Sequence, residues 1–208
     1  IDVGGESTRP GAVPVTLQEE MDRTLPVVEV LRREFPGTAV SIDTTRYEVA
    51  KEALEVGATI INDVSGGSDI RLVALLSDYL DAKLVLMHRK GTPQTMQDNP
   101  VYPQGAVSEV KDFLQARVRA FVESGIGKSR LWVDPGIGFG KTLNHNLDLL
   151  RHLKTFVSLG DRLMVGTSRK AFLSQVLKSP GPLAQEALAQ ERAAGTLASN
   201  LWAYQSGA

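Results

Sequence analysis

The sequence contains no cysteine, and it lacks most of the features that mark a specialised class of protein. Without cysteine the chain can form no disulfide, no thiolate nucleophile and no cysteine zinc site, which fits a reducing compartment. A formal net charge of -1 provides no excess of basic residues for binding nucleic acid or an acidic membrane. No apolar run approaches the roughly 18 residues of a membrane-spanning helix. The composition, 42% hydrophobic and 23% charged, is that of an ordinary globular domain.

Short apolar runs alternate with longer amphipathic ones along the chain. We predict buried strands at Ile1–Val3, Ala39–Ile42, Thr59–Ile61, Lys83–Met87, Leu131–Val133 and Arg162–Val165. We predict helices between them at Leu17–Phe35, Tyr47–Val56, Ile70–Leu80, Gly105–Ser124 and Leu143–Phe156, and from Arg169 onward. Repeated strand–helix units predict one α/β domain over residues 1–208, with a parallel sheet and right-handed crossovers.

Two helix starts carry the pattern of a capping box, in which a hydroxyl and a later carboxylate cap each other's backbone N–H groups. These pairs are Thr16 with Glu19 and Thr45 with Glu48. Pro26 interrupts the first helical pattern, because proline removes a backbone hydrogen bond inside a helix. We therefore predict a kink or a two-piece helix there.

Polar residues follow almost every predicted strand. They are Asp2, Asp43, Asn62 with Asp63, His88, Asp134, and Thr167 with Ser168. In a (β/α)8 barrel these strand ends converge on one mouth, where active sites lie. In a doubly wound sheet ligands bind at the switch point, so polar residues at the ends of distant strands would have little function. Barrels usually run to about 250 residues, and only six strands are visible. We therefore predict an incomplete (β/α)8 TIM barrel that lacks its first and last strands, and we expect both ends of the chain to be cut.

The stretch "VDPGIGFGKT", residues 133–142, resembles a phosphate-binding loop at first sight. A Walker loop needs a glycine five positions before Gly140, but Pro135 stands there and has no N–H group to offer. The spacing of the dinucleotide-binding glycines fails as well. We predict instead a turn that carries Asp134 inward, with glycines that bring the backbone close to a flat ligand. Lys141 is then expected to be solvated at the start of the next helix.

Asp43, directly after a buried strand, is a candidate functional carboxylate. It could accept paired N–H groups from a heterocycle or stabilise a developing cation. The alternative is a helix N-cap, a role for which Thr45 is also suited. Of the adjacent Asn62 and Asp63, strand alternation lets only one face the barrel axis. Asn62 offers both a donor and an acceptor to a heterocycle edge, which leaves the other residue a structural role.

Two further strand-end loops carry basic and hydroxyl side chains. Thr8 and Arg9 in the first loop could hold an anion or an aromatic substrate, or could belong to an ordinary surface turn. Ser168, Arg169 and Lys170 stand where the last visible strand passes into a helix, and the N–H groups of such a helix start favour anions.

Together, these loops resemble one family closely, the dihydropteroate synthases, which are pterin-binding enzymes of folate synthesis. The matching segments, in family order, are "DVGGESTRPGA", "SIDTTR", "IINDVSGG", "LMH" followed by "GTPQTMQ", "DPGIGFGKT", "GTSRKAF" and "ERAAGTLA". The resemblance spans nearly the whole chain and implies the (β/α)8 barrel. It also implies that 6-hydroxymethyl-7,8-dihydropterin diphosphate and 4-aminobenzoate are joined to give 7,8-dihydropteroate and diphosphate. Mg²⁺ as cofactor and a cytoplasmic homodimer are implied as well.

The resemblance also implies roles for individual residues. The catalytic ones are Asp43, Lys170 and Arg9, and the substrate-binding ones are Thr8, Asp43, Asn62, Met87, Asp134, Phe139, Gly166, Ser168 and Lys170. Asp43, Asn62, Asp134 and Lys170 resemble the pterin pocket, and Met87 and Gly166 resemble its wall. Thr8 and Arg9 resemble the mobile loop that closes over diphosphate and aminobenzoate. Phe139, Pro10 and Ser168 resemble the aminobenzoate side, where sulfonamides compete.

Several family features are absent from the sequence. The family's first strand, with its Asn-Val-Thr-Pro-Asp-Ser-Phe loop and Mg²⁺-binding Asn, is missing, as is the Arg-x-His of the last strand that grips diphosphate. We therefore predict no metal ligand within this chain and little synthase activity for the 208 residues alone. Ala171 replaces a frequent serine, from which we expect a slightly altered affinity for aminobenzoate or sulfonamides. The alternatives are a related pterin-binding methyltransferase domain and a pterin-binding fragment without catalysis.

Overall fold

Strands and helices alternate along the chain in a computed structural model, which describes residues 1–177 and 192–208. The strands are Asp2–Gly4 (β1), Ser41–Asp43 (β2), Ile60–Asp63 (β3), Lys83–Met87 (β4), Leu131–Asp134 (β5) and Arg162–Leu163 (β6). The helices are Leu17–Glu34 (α1), Tyr47–Glu55 (α2), Arg71–Asp78 (α3), Ala106–Glu123 (α4), Leu143–Arg151 (α5), Ala171–Leu177 (α6) and Arg192–Gln205 (α7). Each predicted strand is present; Lys83–Met87 has the predicted bounds, and no bound of the others differs by more than two residues.

The sheet is fully parallel, and its strand order is β1-β2-β3-β4-β5-β6. The order never reverses, whereas a doubly wound sheet reverses its order at the switch point where ligands bind. A consecutive parallel order is the arrangement of barrel strands. The described strands therefore favour the barrel over the doubly wound alternative.

One face of the sheet is apolar and carries the core. One apolar residue from each of five neighbouring strands pairs in register with the residue on the next strand. These residues are Val3, Ile42, Ile61, Leu84 and Leu131. All five belong to the hydrophobic core that the sheet shares with the helices. This continuous buried row fixes the strand register, because a shift by one residue would turn every side chain to the other face.

The first helix is one continuous element with Pro26 inside it, so the two-piece alternative is wrong. Its N-cap follows the prediction in part, since the hydroxyl of Thr16 accepts a hydrogen bond from the N–H of Glu19. The carboxylate of Glu19 instead pairs with Arg23 one turn later, at 2.5 Å.

The second predicted capping box is wrong. Arg46 is the N-cap of α2 and makes no side-chain cap, and the carboxylate of Glu48 pairs with Arg71. A capping box that the pattern search missed starts α5, where Thr142 and His145 cap each other's backbone N–H groups. Histidine stands there in the position that glutamate or glutamine usually takes, and the usual pattern does not include it.

Part of the predicted C-terminal helical region falls on residues 178–191 and lies outside the described residues, as does Glu191, the first residue of "ERAAGTLA". Among the residues that are described, no helix is both long enough and apolar enough to cross a membrane.

Candidate active site

The second face of the sheet carries several of the polar residues at the strand ends. Asp43 pairs with Asn62 across β2 and β3, and Asp134 pairs with Met87 across β4 and β5. Asn62 pairs in turn with Val85, which lies two residues before Met87 on β4 and thus points the same way. Strand alternation therefore brings Asp43, Asn62, Met87 and Asp134 to one face, opposite to the face that carries the core.

Asp43 is half-buried, and its Oδ1 atom is fully covered without a hydrogen-bond partner among the described residues. Burial, together with the nearby carboxylates Asp2, Glu20 and Asp63, raises the pKa of Asp43 from 3.8 to about 7, against the opposing charge of Lys170. A covered polar atom without a partner is costly unless a proton or a ligand donor satisfies it. Asp43 is therefore available to a donor or a cation from a ligand.

Asn62 and Asp63 point to opposite faces of the sheet, as strand alternation predicts. Asn62 shares the face of Asp43, and its amide donates to Oδ2 of Asp2 at 3.1 Å. Asp63 accepts the backbone N–H groups of Ser65 and Gly67 at 2.7 and 2.8 Å. Asp63 thus holds the turn that leaves β3 and does not face the site.

Asp134 is buried at the end of β5, where its Oδ1 accepts the N–H of Gly136 at 2.7 Å. Burial raises the pKa of Asp134 to about 6, although the Gly136 N–H and the charges of Lys170 and Lys141 oppose the rise. The carboxylate has further lone pairs for a ligand's donors.

Lys141 is buried, so the expectation that it is solvated is wrong. Its side chain is 3% exposed, and its Nζ lies 3.0 Å from Nδ1 of His88 and donates to the carbonyl of Phe139 at 3.0 Å. Burial lowers the pKa of Lys141 to about 7, against the raising effect of Asp134. The Lys141 side chain thus connects the loop after β5 with His88, the residue that follows β4.

The glycines of the loop after β5 are required by close packing against the protein's own backbone. Gly136 and Gly140 have φ of 67° and 65°. A Cβ added at Gly136 would lie 1.9 Å from the carbonyl oxygen of His88, and one at Gly140 would lie 2.2 Å from that of Lys90. The loops after β4 and β5 thus meet backbone to backbone. The sequence predicts glycines that bring the backbone close to a flat ligand, and the close approach that the structure shows is to the protein's own backbone.

A cleft with a volume of about 860 Å³ opens beside these loops. Its lining includes the predicted site residues Thr8, Arg9, Pro10, Phe139, Ser168 and Lys170, together with Ala171. The loops after β1, β5 and β6 therefore meet around one space. The ammonium of Lys170 lies 3.9 Å from the centroid of the Phe139 ring, a cation–π contact. Burial lowers the pKa of Lys170, while Asp134 and Asp43 raise it.

A smaller cavity of about 200 Å³ adjoins the first through Thr8, which lines both. Asp43 lines this smaller cavity. The loop after β1 closes over it, because Gly11 donates its N–H to Pro93 and Gln94 donates its amide to Ala12, each at 3.0 Å.

The remaining predicted site residues stand outside the linings of these two cavities. Asn62, Met87 and Asp134 are buried at the strand ends, and Gly166 is exposed after β6. Sequence reasoning missed Arg192 of α7, which lines the larger cleft. The motif "ERAAGTLA" pointed to this segment without giving Arg192 a role.

No group of three or more His, Cys, Asp or Glu side chains in the described part of the chain could hold a metal ion.

Comparisons with known proteins identify the family. The model of the "Pterin binding enzyme" family matches residues 1–208. Dihydropteroate synthase from Synechocystis sp. is 43% identical over 182 residues, which cover 88% of this chain and 62% of that protein. Dihydropteroate synthase from Escherichia coli K12 is 40% identical over 208 residues, which cover 100% of this chain and 70% of that protein.

Solved structures agree with the sequence comparisons. The Yersinia pestis dihydropteroate synthase with a sulfonamide drug complex matches with a TM-score of 0.89 at 38% identity, over 100% of this chain and 71% of that chain. The Xanthomonas albilineans dihydropteroate synthase with 4-aminobenzoic acid matches with a TM-score of 0.87 at 37% identity, over 100% of this chain and 70% of that chain.

These matches confirm the predicted α/β barrel, of which the chain contains a part. The chain spans 62% of the length of its Synechocystis relative. It belongs to the pterin-binding enzyme family, within which the relatives named above are dihydropteroate synthases.

Proposed function

We propose that this protein is a dihydropteroate synthase, which joins 6-hydroxymethyl-7,8-dihydropterin diphosphate to 4-aminobenzoate and releases diphosphate. The observation that supports this most is the placing of two carboxyl groups on one face of the sheet, where the charge of one lysine acts on both. Asp43 and Asp134 lie on one face of the sheet, and the charge of Lys170 acts on both. Such a set can bind a heterocycle that carries several donors and then develops positive charge.

The pterin would bind at the sheet face. Its amino-pyrimidinone edge has adjacent N–H donors, and Asp134 accepts them as a pair in its ionised form, which predominates above about pH 6. Asn62 offers both an acceptor and donors to a second edge of the heterocycle. Lys170 completes the pocket from the loop after β6, while Met87 and Gly166 form its wall.

The reaction breaks the bond between the pterin methylene carbon and the diphosphate oxygen, and the bonding electrons leave with diphosphate. A cationic methylene remains, which the covered carboxylate of Asp43 stabilises. The neutral amine of 4-aminobenzoate then forms the new C–N bond and afterwards loses a proton. Because the amine attacks in its neutral form, no strong base is needed.

The cleft of about 860 Å³ would hold 4-aminobenzoate. Phe139 provides an aromatic wall, Pro10 packs from the opposite loop, and Ser168 faces the carboxylate. Arg9 belongs to the loop that closes over the diphosphate. The similarity to a structure that contains 4-aminobenzoic acid supports this assignment.

We also propose that residues 1–208 form one partial pterin-binding barrel domain, and that the full product of the gene is a cytoplasmic homodimer. Mg²⁺ bound to diphosphate belongs to the same proposal, and the family resemblance implies that its main protein ligand lies outside these 208 residues. The family relationship supports these points.

The test is a turnover assay of the full gene product with pterin diphosphate. Diphosphate release that depends on 4-aminobenzoate supports the synthase. Methyl transfer from a methylated folate would identify the methyltransferase alternative, and pterin binding without turnover a binding module.

Asp134→Ala should abolish pterin binding, because the paired acceptor for the heterocycle is lost. Asp81→Ala is the matched control. Asp81 is exposed and precedes β4, so it lies at the end of the strands opposite to the site. Calorimetric titration with the pterin measures both. An unchanged pterin affinity in Asp134→Ala would remove Asp134 from its role.

A further inference from the structure

One face of α7 carries four polar side chains, Arg192, Thr196, Ser199 and Asn200. Their spacing of four, three and one residues places them on one helix face. All four make hydrogen bonds with the loop that joins β6 to α6, residues 164–170. This loop carries Lys170, the lysine of the proposed pterin site.

Arg169 is the strained residue of this loop. Its φ is 50°, a left-handed conformation that residues with a side chain rarely adopt. α7 holds this residue from both sides of its backbone. The Arg169 N–H donates to the hydroxyl of Thr196 at 2.9 Å, and the Arg169 carbonyl accepts from Nη1 of Arg192 at 3.0 Å.

Thr167 anchors the beginning of the same loop. Its side chain is 1% exposed, so its hydroxyl must find partners within the protein. That hydroxyl donates to Oδ1 of Asn200 at 2.6 Å and accepts from the hydroxyl of Ser199 at 2.8 Å. The loop is thus tied to α7 at Thr167 and again at Arg169, immediately before Lys170.

The position of Lys170 follows from these contacts. Its alkyl chain passes over Gly138, where an added Cβ would lie 3.0 Å from Cδ, and its ammonium reaches the ring of Phe139. A change in the backbone of Arg169 rotates the next peptide, and the Lys170 side chain then leaves this narrow path. Nothing in the loop's own sequence favours the left-handed conformation, because Arg169 is neither glycine nor asparagine.

We propose that Thr196 and Arg192 are positioning residues, which hold Arg169 in its left-handed conformation so that Lys170 stays between Phe139 and the two carboxylates. This role rests on the proposed function of Lys170. It also gives a purpose to the motif "ERAAGTLA", whose residues Arg192 and Thr196 provide the two contacts.

The test uses the full gene product with Thr196→Val, which keeps the side chain's shape and removes the hydroxyl. We expect pterin affinity and kcat/KM for 4-aminobenzoate each to fall about tenfold, the effect of one lost hydrogen bond. Thr196→Ser should restore both to within about twofold, because it returns the acceptor. Tyr204→Phe is the control, since it removes a hydroxyl from the same helix at a side chain that is 76% exposed.

A double-mutant cycle separates positioning from general stability. If Thr196 acts through Lys170, Thr196→Val should have little further effect on pterin affinity in a Lys170→Ala background. An undiminished, additive effect in that background would overturn the proposal.

The synthase assignment and the role of Thr196 are tested by different outcomes. A wild-type protein that binds pterin but releases no diphosphate would overturn the synthase assignment, while the pterin-affinity cycle would still decide the role of Thr196.

Discussion

At the scale of single residues, the site is defined by ionisable groups that burial pushes towards neutrality. Asp43 and Asp134 have raised pKa values, and Lys141 and Lys170 have lowered ones. Each group is less stable when charged than it would be in water, because the strand ends exclude solvent. A charged or donor-rich ligand therefore finds groups whose ionised forms it can stabilise, and such groups are frequent in functional sites.

Asp43→Asn should reveal the cost of this burial as a function of pH. The pKa of Asp43 is about 7 in the folded protein and 3.8 ordinarily. A raised folded pKa means that the folded state holds the proton more tightly, so stability is lost as pH rises from about 4 to about 7. The wild type should therefore lose stability relative to Asp43→Asn across that range and level off above it.

Urea unfolding of both proteins at several pH values measures this difference. A stability difference that does not change with pH would show that Asp43 ionises as it does in water.

How much of the site the sequence predicts depends on how local the deciding interaction is. The alternation of Asn62 and Asp63 is a local property of strands, and the structure follows it. The burial of Lys141 is not local. A lysine in a loop is solvated by default, and only the approach of the β4 loop, with His88 and the Phe139 carbonyl, encloses it. The missed contacts of α7 have the same cause, since they join residues about 30 positions apart along the chain.

At the scale of elements, the loops after β4 and β5 behave as one packed unit. The hydroxyl of Tyr102 donates to the carbonyl of Gly140, and Gln97 donates to that of Gly138. Asn146, from α5, accepts the N–H of Gly138 at 2.7 Å. The position of Phe139 within this loop is therefore set by several neighbouring elements together.

Gly136→Ala should disrupt this unit severely. The new Cβ would lie 1.9 Å from the His88 carbonyl oxygen, and the backbone φ of 67° is unfavourable for alanine. We expect a loss of about 2 kcal/mol or more in unfolding free energy, in the range of backbone strain with a steric clash.

Gly105→Ala is the control, because Gly105 also has a positive φ, of 87°, but an added Cβ there meets no atom within 4 Å. Denaturant unfolding compares the two variants. Equal losses would mean that conformation alone, and not the contact with His88, determines the cost.

At the scale of the whole molecule, the described sheet is open, with β1 and β6 each paired on one side only. Unpaired strand edges promote association with other chains. The family resemblance implies two further strands, with the Asn and the Arg-x-His named above, and we expect them to pair with these edges.

The isolated 208-residue chain should therefore be poorly soluble and have little synthase activity. Its diphosphate release with both substrates can be compared with that of the full gene product at equal concentration. Robust turnover by the isolated chain would contradict this expectation and would show that the described residues suffice for catalysis.

Because one face of the sheet carries the core and the other the site, the strands limit how the protein can evolve. Asp43, Asn62 and Asp134 face the site only because each stands at the correct parity along its strand. Deleting one residue of β3 before Asn62 would present Asp63 in place of Asn62 and at the same time turn Ile61 out of the core. Substrate preference can thus diversify through changes in loop length. A change of one residue in the length of a strand would disrupt the site and the core together.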